Sequence, residues 1–214
     1  MSRFLLIMFF FVSGCSSQII DTSLANAEDV SGLEEQALLG DANASLSVGM
    51  YYMLAANNTG RAEPWLRLAA DLGSVDAQLN LGLLYQDRNQ PELALRYIAM
   101  AAGTGDLVGL SRLAEMLEAS QEYASARVLY SRAAKLGDLN ALTKVSEMEI
   151  LGTGGQQDLR SSLGHLKAAS KLVDEGSILA DKIDCRIRVL ESLSLVTNHN
   201  ESLGDIGLRC GKFL

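Results

Sequence analysis

AQLNLGLLYQDRNQPELALRYIAMAAGTGD, residues 77–106, reads as two helices joined by a polar turn. Ala77, Leu81 and Leu84 fall on one face of a helix with a 3.6-residue period. The run Asp87-Arg88-Asn89-Gln90-Pro91 interrupts that face. A second helix is expected from about Glu92 to Ala102, ending at a glycine as helix C-termini often do. The small pair Ala101-Ala102 lets a neighbouring helix come close. Asp106, directly after Gly105, is suited to cap the start of the next helix.

Outward from this stretch the pattern recurs. Gly40-Asp41, Gly73-Ser74, Gly105-Asp106 and Gly137-Asp138 are spaced by 33, 32 and 32 residues. Four places after each glycine stands a small residue: Ala44, Ala77, Gly109 and Ala141. Val48, Leu81, Leu113 and Val145 come four places later, followed by Gly49, Gly82, Ala114 and Ser146. A second small pair recurs as Ala69-Ala70, Ala101-Ala102, Ala133-Ala134 and Ala168-Ala169, at intervals of 32, 32 and 35. The extra three residues of the last interval are assigned to a loop at Gly152-Thr153-Gly154-Gly155. A period held over four copies is the mark of a stacked repeat array. With two prolines and 6% aromatic residues, small-residue helix packing is favoured over a sandwich or barrel. The expected fold is an all-α solenoid of about four helix-turn-helix repeats.

Within residues 77–106, Ala77, Leu81-Gly82, Tyr85, Ala94, Tyr97, Ala101-Ala102 and Gly105 together resemble the Sel-one-like (SLR) repeat, a relative of the tetratricopeptide repeat. The first copy matches through Ala44, Gly49, Tyr52, Trp65, Ala69-Ala70 and Gly73, and the third through Tyr130, Ala133-Ala134 and Gly137. The fourth departs: Ser146, Glu149 and Gly164 stand at the small, Tyr and aromatic places. The resemblance covers about residues 32–175 and implies a right-handed α-solenoid that binds protein segments.

The N-terminus carries a different signal. After Arg3, Phe4 through Val12 form an apolar run of nine residues, too short to span a bilayer and suited to the core of a secretory signal. Val12-Ser13-Gly14-Cys15 resembles the lipobox of bacterial lipoproteins. That resemblance implies cleavage before Cys15 and acylation of its thiol and new amine. Each buried methylene of the added chains contributes about 0.8 kcal/mol of anchoring. Ser16, where an Asp would favour inner-membrane retention, points by the same resemblance to the outer membrane and a periplasm-facing domain. The organisation expected is residues 1–14 as signal, 15–31 as tether, 32–176 as repeats, and 177–214 as a capping helix and tail. Within the last part, Ile178 to Val196 reads as a helix with Leu179, Ile183, Ile187, Leu190 and Leu193 on one side.

Charge and cysteines bound the function. The net charge of -8 repels phosphate backbones and gains nothing from anionic lipid headgroups, so nucleic-acid binding is not expected and membrane attachment falls to the lipid anchor. In an oxidising compartment Cys185 and Cys210 form a candidate disulfide. The 24 residues between them make such a link worth about 3 kcal/mol in the chain-entropy picture. Neither has a neighbouring Cys or His at metal spacing, and no cofactor is expected. His165 and His199 lie on different elements without evident partners, and Glu147 and Glu149 point to different sides of their helix. The glycines at 152–155 lack the Gly-Lys-Ser/Thr of a phosphate loop and read as an enlarged turn. No convergent polar set suggests an enzyme or a small-molecule substrate site.

The expected partner surface is the inner face of each first helix, at places two, six and nine after its small residue. These are Leu46, Met50, Met53, then Leu79, Leu83, Gln86, then Ser111, Glu115, Glu118, then Thr143, Glu147, Ile150. One end is apolar and the other acidic, which suits an apolar then basic helical segment of another envelope protein. Two roles fit such a chain: an anchored scaffold for a secretion, pilus or polysaccharide-export assembly, or a regulatory or inhibitory binding subunit of a periplasmic enzyme.

Overall fold

A computed structural model describes residues 27–195. Among them stand α1 (Ala27–Leu38), α2 (Ala42–Met50) running into a π turn (Tyr51–Ala55), α3 (Thr59–Asp71), α4 (Val75–Asp87) and α5 (Pro91–Gly103). They are followed by α6 (Leu107–Ala119), α7 (Tyr123–Lys135), α8 (Leu139–Leu151), α9 (Leu159–Ser170) and α10 (Ile178–Leu195). Each helix packs on the next one in sequence, the contact pattern of a solenoid. The pairs α2/α3, α4/α5, α6/α7 and α8/α9 are the four expected repeats.

Local chemistry sets the boundaries. Gly40, Gly73, Gly105 and Gly137 take φ of 95°, 92°, 87° and 87°, the left-handed turn that glycine enters without steric cost. The residue after each is an N-cap. Asp41 accepts from the amides of Asn43 at 2.8 Å and Ala44 at 3.1 Å, Asp106 from Gly109 at 2.8 Å, and Ser74 and Asp138 cap α4 and α8 the same way. Pro91 opens α5 at its first position, where its missing N–H costs nothing.

Burial corrects the alignment of the fourth copy. Ala62, Ala94, Ala126 and Ser162 are buried in corresponding places, as are Leu66, Ile98, Tyr130 and Leu166, and Ala69, Ala101, Ala133 and Ala169. The last interval in each series is therefore 36 residues, not 35, and the loop after α8 holds four extra residues. It follows that His165, not Gly164, stands at the aromatic place of Trp65 and Tyr97, while the third copy has Leu129 there.

The first copy is one residue longer than the next two, and the π turn absorbs that residue. Ala56 N donates to Tyr51 O across five residues, widening the helix by a single unit. The turn ends at Asn57, whose φ of 46° matches Asn89 at 55° and Gln121 at 64° in the later copies.

Two further expectations change. The tether cannot reach residue 31, because α1 begins at Ala27 and Val30 is buried against Tyr52 in the N-terminal core. Val30, Leu33 and Ala37 recur at helical spacing, which makes α1 a docked cap for the stack. At the other end, α10 buries Ala180, Ile183 and Leu190 with Ile187 and Leu193 partly covered, but Leu179 stays exposed. The seam on α10 runs through Ala180, three residues before Ile183, rather than through Leu179.

Candidate partner-binding groove

The side chains expected to line a groove come from the first helices, α2, α4, α6 and α8. On the N-terminal half, Leu46, Met50 and Met53 are half-buried against the core formed with Val48, Tyr52 and Leu66. Met53 is carried by the π turn. Leu79 is half-buried, while Leu83 is 41% exposed and Gln86 is exposed. Leu83 thus presents apolar surface to solvent from the middle of a helix that buries Ala77, Leu81, Leu84 and Tyr85.

The C-terminal half is not the bare acidic surface that the sequence suggests. Glu115 pairs with Arg112 at 3.6 Å. Glu118 accepts from Lys144 Nζ at 3.1 Å and from the Tyr130 hydroxyl at 2.8 Å. Glu147 is half-buried; desolvation raises its carboxyl above the ordinary value, opposed by the positive charges of Arg186 and Lys144. The three carboxylates therefore already have cationic neighbours, and the case for a basic partner segment weakens. Ile150, placed at the groove from its spacing, is 1% exposed and belongs to the core. Its carbonyl accepts from Gln157 Nε2 at 2.7 Å, so the loop after α8 folds over this end of the helix. Ser111 is half-buried, and its hydroxyl has no hydrogen-bond partner among the described residues.

The recurrent aromatic residues are packing elements. Tyr52 donates to Glu34 at 2.7 Å and Tyr85 to Glu63 at 2.7 Å, each tying a first helix to the helix before it. Burial and the Glu63 bond push the Tyr85 hydroxyl up to about 12. Glu63 also meets Arg88 at 2.5 Å, and its carboxyl is held low, first by the Tyr85 bond. Tyr85 stacks on Tyr97 with centroids 5.6 Å apart.

In the fourth copy that stack is replaced by charge. Glu149 and His165 occupy the places of Tyr85 and Tyr97, with His165 Nδ1 2.9 Å from Glu149 Oε2. Arg127 lies 3.9 Å from the other carboxylate oxygen and donates to Gln156 O at 2.9 Å. His165 therefore has a partner that its sequence neighbours did not reveal; the clue was the pair of simultaneous departures from the repeat. Glu149 is 5% exposed, and the adjacent Ser146 and Ser162 hydroxyls bond each other at 2.8 Å inside the core. With Glu149 bonded to His165 and Ser146 to Ser162, the cluster ties α8 to α9. The glycine-rich loop beside it packs on α7: a Cβ on Gly154 would collide with the Tyr123 carbonyl, consistent with an enlarged turn.

An open depression of about 510 Å³ runs along α3, lined by Gly60, Glu63, Pro64, Arg67, Leu68 and Asp71. A face supplied by one helix does not enclose a small molecule. Among the described residues there is no cluster of three or more His, Cys, Asp or Glu placed to hold a metal, and no helix is long and apolar enough to cross a membrane. Cys185 is half-buried on α10 and disulfide-bonded. Cys15, Cys210 and His199 lie outside the described residues.

No family model matches the sequence, and no curated protein matches it. Solved structures do match the fold. One is c5321, a protective antigen of uropathogenic Escherichia coli with an SLR fold, at a TM-score of 0.60 and 18% identity. The match covers 90% of this chain but spans only 42% of that protein's length. Another is a Sel1 repeat protein from Oxalobacter formigenes, at a TM-score of 0.55 and 18% identity, covering 87% of this chain and 85% of the other. The capped glycine turns, the interlocked small residues and these two likenesses agree: the chain folds as a Sel1-like repeat (SLR) α-solenoid.

Proposed function

We propose that this chain is a non-catalytic interaction scaffold, anchored through Cys15 to a bacterial envelope membrane, whose first-helix face binds an apolar segment of a partner protein. The observation that carries the reading is the row Leu46, Met50, Met53, Leu79 and Leu83 on α2, its π turn and α4: the first three pack against the core but stay only half-buried, Leu79 is half-buried, and Leu83 is exposed. Unbranched methionines let such a surface adapt to its ligand. An amphipathic helix laid across repeats is the mode of recognition this geometry suits. The paired carboxylates further along leave the apolar half as the source of affinity. The lipobox-like Val12-Ser13-Gly14-Cys15 supports attachment to the outer membrane with the repeats in the periplasm, where they would organise an export or secretion assembly.

The test is crosslinking capture from intact cells, with Leu79→Asp/Leu83→Asp compared against Val128→Asp on α7. Loss of a captured envelope protein in the first variant only, with helical content unchanged in both, is the expected result. Equal capture by both variants would overturn the assignment of this face. The anchor is tested separately. Cys15→Ala should move the protein from the membrane fraction to the soluble one, and persistence in the membrane would refute lipidation.

A further inference from the structure

The turns that lead into α2, α4, α6, α8 and α10 lie on one edge of the stack, because the helix before each ends there. One side chain stands at the same place in every turn: Leu39, Leu72, Thr104, Leu136 and Leu172. Leu39 N donates to Gln36 O, Thr104 N to Ala101 O, Leu136 N to Ala133 O and Leu172 N to Ala169 O, so the places are equivalent. These turns are held by backbone bonds and need no leucine. Yet all four leucines are exposed, Leu39 by 83% and Leu136 by 57%, and so is Val108, the second residue of α6. The residue before each is Leu38, Asp71, Gly103, Lys135 or Lys171, so the charge at this place changes sign across the middle turn. Asp71 and Lys135 are exposed, and among the described residues neither has an ion-pair partner.

We propose that this edge pairs two copies of the chain about a two-fold axis through the turn that carries Thr104 and Val108. A two-fold interface must complement itself. Leu72 and Leu136 each lie 32 residues from Thr104, so an antiparallel pairing sets Leu72 of one copy against Leu136 of the other. The same register brings Asp71 to Lys135 on both sides of the axis, and Leu39 to Leu172. Lys171 falls opposite Leu38, which its aliphatic stem can cover. At the axis, a Cβ on Gly103 would meet nothing within 4 Å in one copy, which leaves room for the other to approach. With about 10 Å per repeat and a width of two helices, the edge measures roughly 40 Å by 20 Å, about the 800 Å² per partner of a standard interface. A membrane surface fits this edge less well, since Asp41, Asp71, Asp106 and Asp138 lie along it. The pairing does not depend on whether α2 and α4 bind a partner.

The experiment uses the full chain in density-matched detergent, with sedimentation equilibrium across a concentration series. The parent is expected to be a dimer. Asp71→Lys and Lys135→Asp should each weaken it about tenfold with helical content unchanged, and the double variant Asp71→Lys/Lys135→Asp should recover the parent affinity. Oxidation of Val108→Cys should link two copies through position 108, whereas Val128→Cys on α7 should not link them. A chain that stays monomeric at every concentration would overturn the proposal, and vesicle binding by that monomer would assign the edge to a membrane. A dimer unaffected by either single charge reversal, not recovered by the double one, or linked through position 128 would have another interface and would equally overturn it.

Discussion

Gly109→Ala and Gly164→Ala should change stability in opposite directions, although both add one methyl to a helix. Alanine is about 1 kcal/mol better than glycine within a helix, so propensity favours both. At Gly164 on α9 a Cβ would meet nothing within 4 Å, and the variant should gain about 0.5–1 kcal/mol. At Gly109 on α6 the new Cβ would lie 2.6 Å from Ala102 N and 2.8 Å from Ala101 C. These are backbone atoms of α5, so no rotamer change relieves the clash and the two helices must part. Overpacking of a filled core costs about 1–3 kcal/mol, and a rigid backbone obstacle belongs at the upper end. Set against the propensity gain, the net loss is about 2 kcal/mol. In a chain of this size that lowers the melting temperature by about 4–8 °C. Urea and thermal unfolding followed by circular dichroism would measure both variants. A Gly109→Ala protein as stable as the parent would refute the close approach of α5 and α6 on which the solenoid geometry rests.

Glu149→Leu should cost about 3 kcal/mol, since it strips His165 and Arg127 of a buried shared carboxylate. The exposed Glu115→Gln should stay within about 0.5 kcal/mol. Chemical denaturation of the two variants side by side checks the contrast, and equal effects would contradict it. Glu118→Lys should lower stability measurably by setting a cation against Lys144 and removing the acceptor of the Tyr130 hydroxyl, so an unchanged melting temperature would count against those contacts. Glu147 carries a pH signature. Its folded carboxyl is raised, so its contribution to stability is full below the ordinary value near 4.5 and is lost as pH rises through the folded value. Glu147→Gln should therefore gain on the parent as pH rises above the ordinary carboxyl value of 4.5, and a difference that stays constant with pH would exclude the effect.

The period of about 32 residues, the helix faces and the helix starts were legible without coordinates, because each depends on residues within a turn or two along the chain. Glycine followed by Asp or Ser is a local instruction, and in a stack each unit touches only its neighbours. The shape of the candidate surface was legible in its apolar half for the same reason: Leu79 and Leu83 are displaced around the helix from Ala77, Leu81 and Leu84. What escaped lies between helices. An insertion of three or four residues satisfies a small-residue alignment equally well, and only the burial of Ser162, Leu166 and Ala169 selects four. His165 meets Glu149 because that shift rotates it inward, and the acidic end of the first-helix face is partly offset because Lys144 reaches across from α8 to Glu118, while Arg112 pairs with Glu115 along α6 itself. A single extra residue in the first copy could have lengthened a loop or a helix; packing of Tyr52 against α1 keeps it in the helix as a π turn. Local spacing determines which face of each helix is apolar, whereas the partner of each charge and the home of each inserted residue are decided by which side chain the neighbouring helix brings within reach.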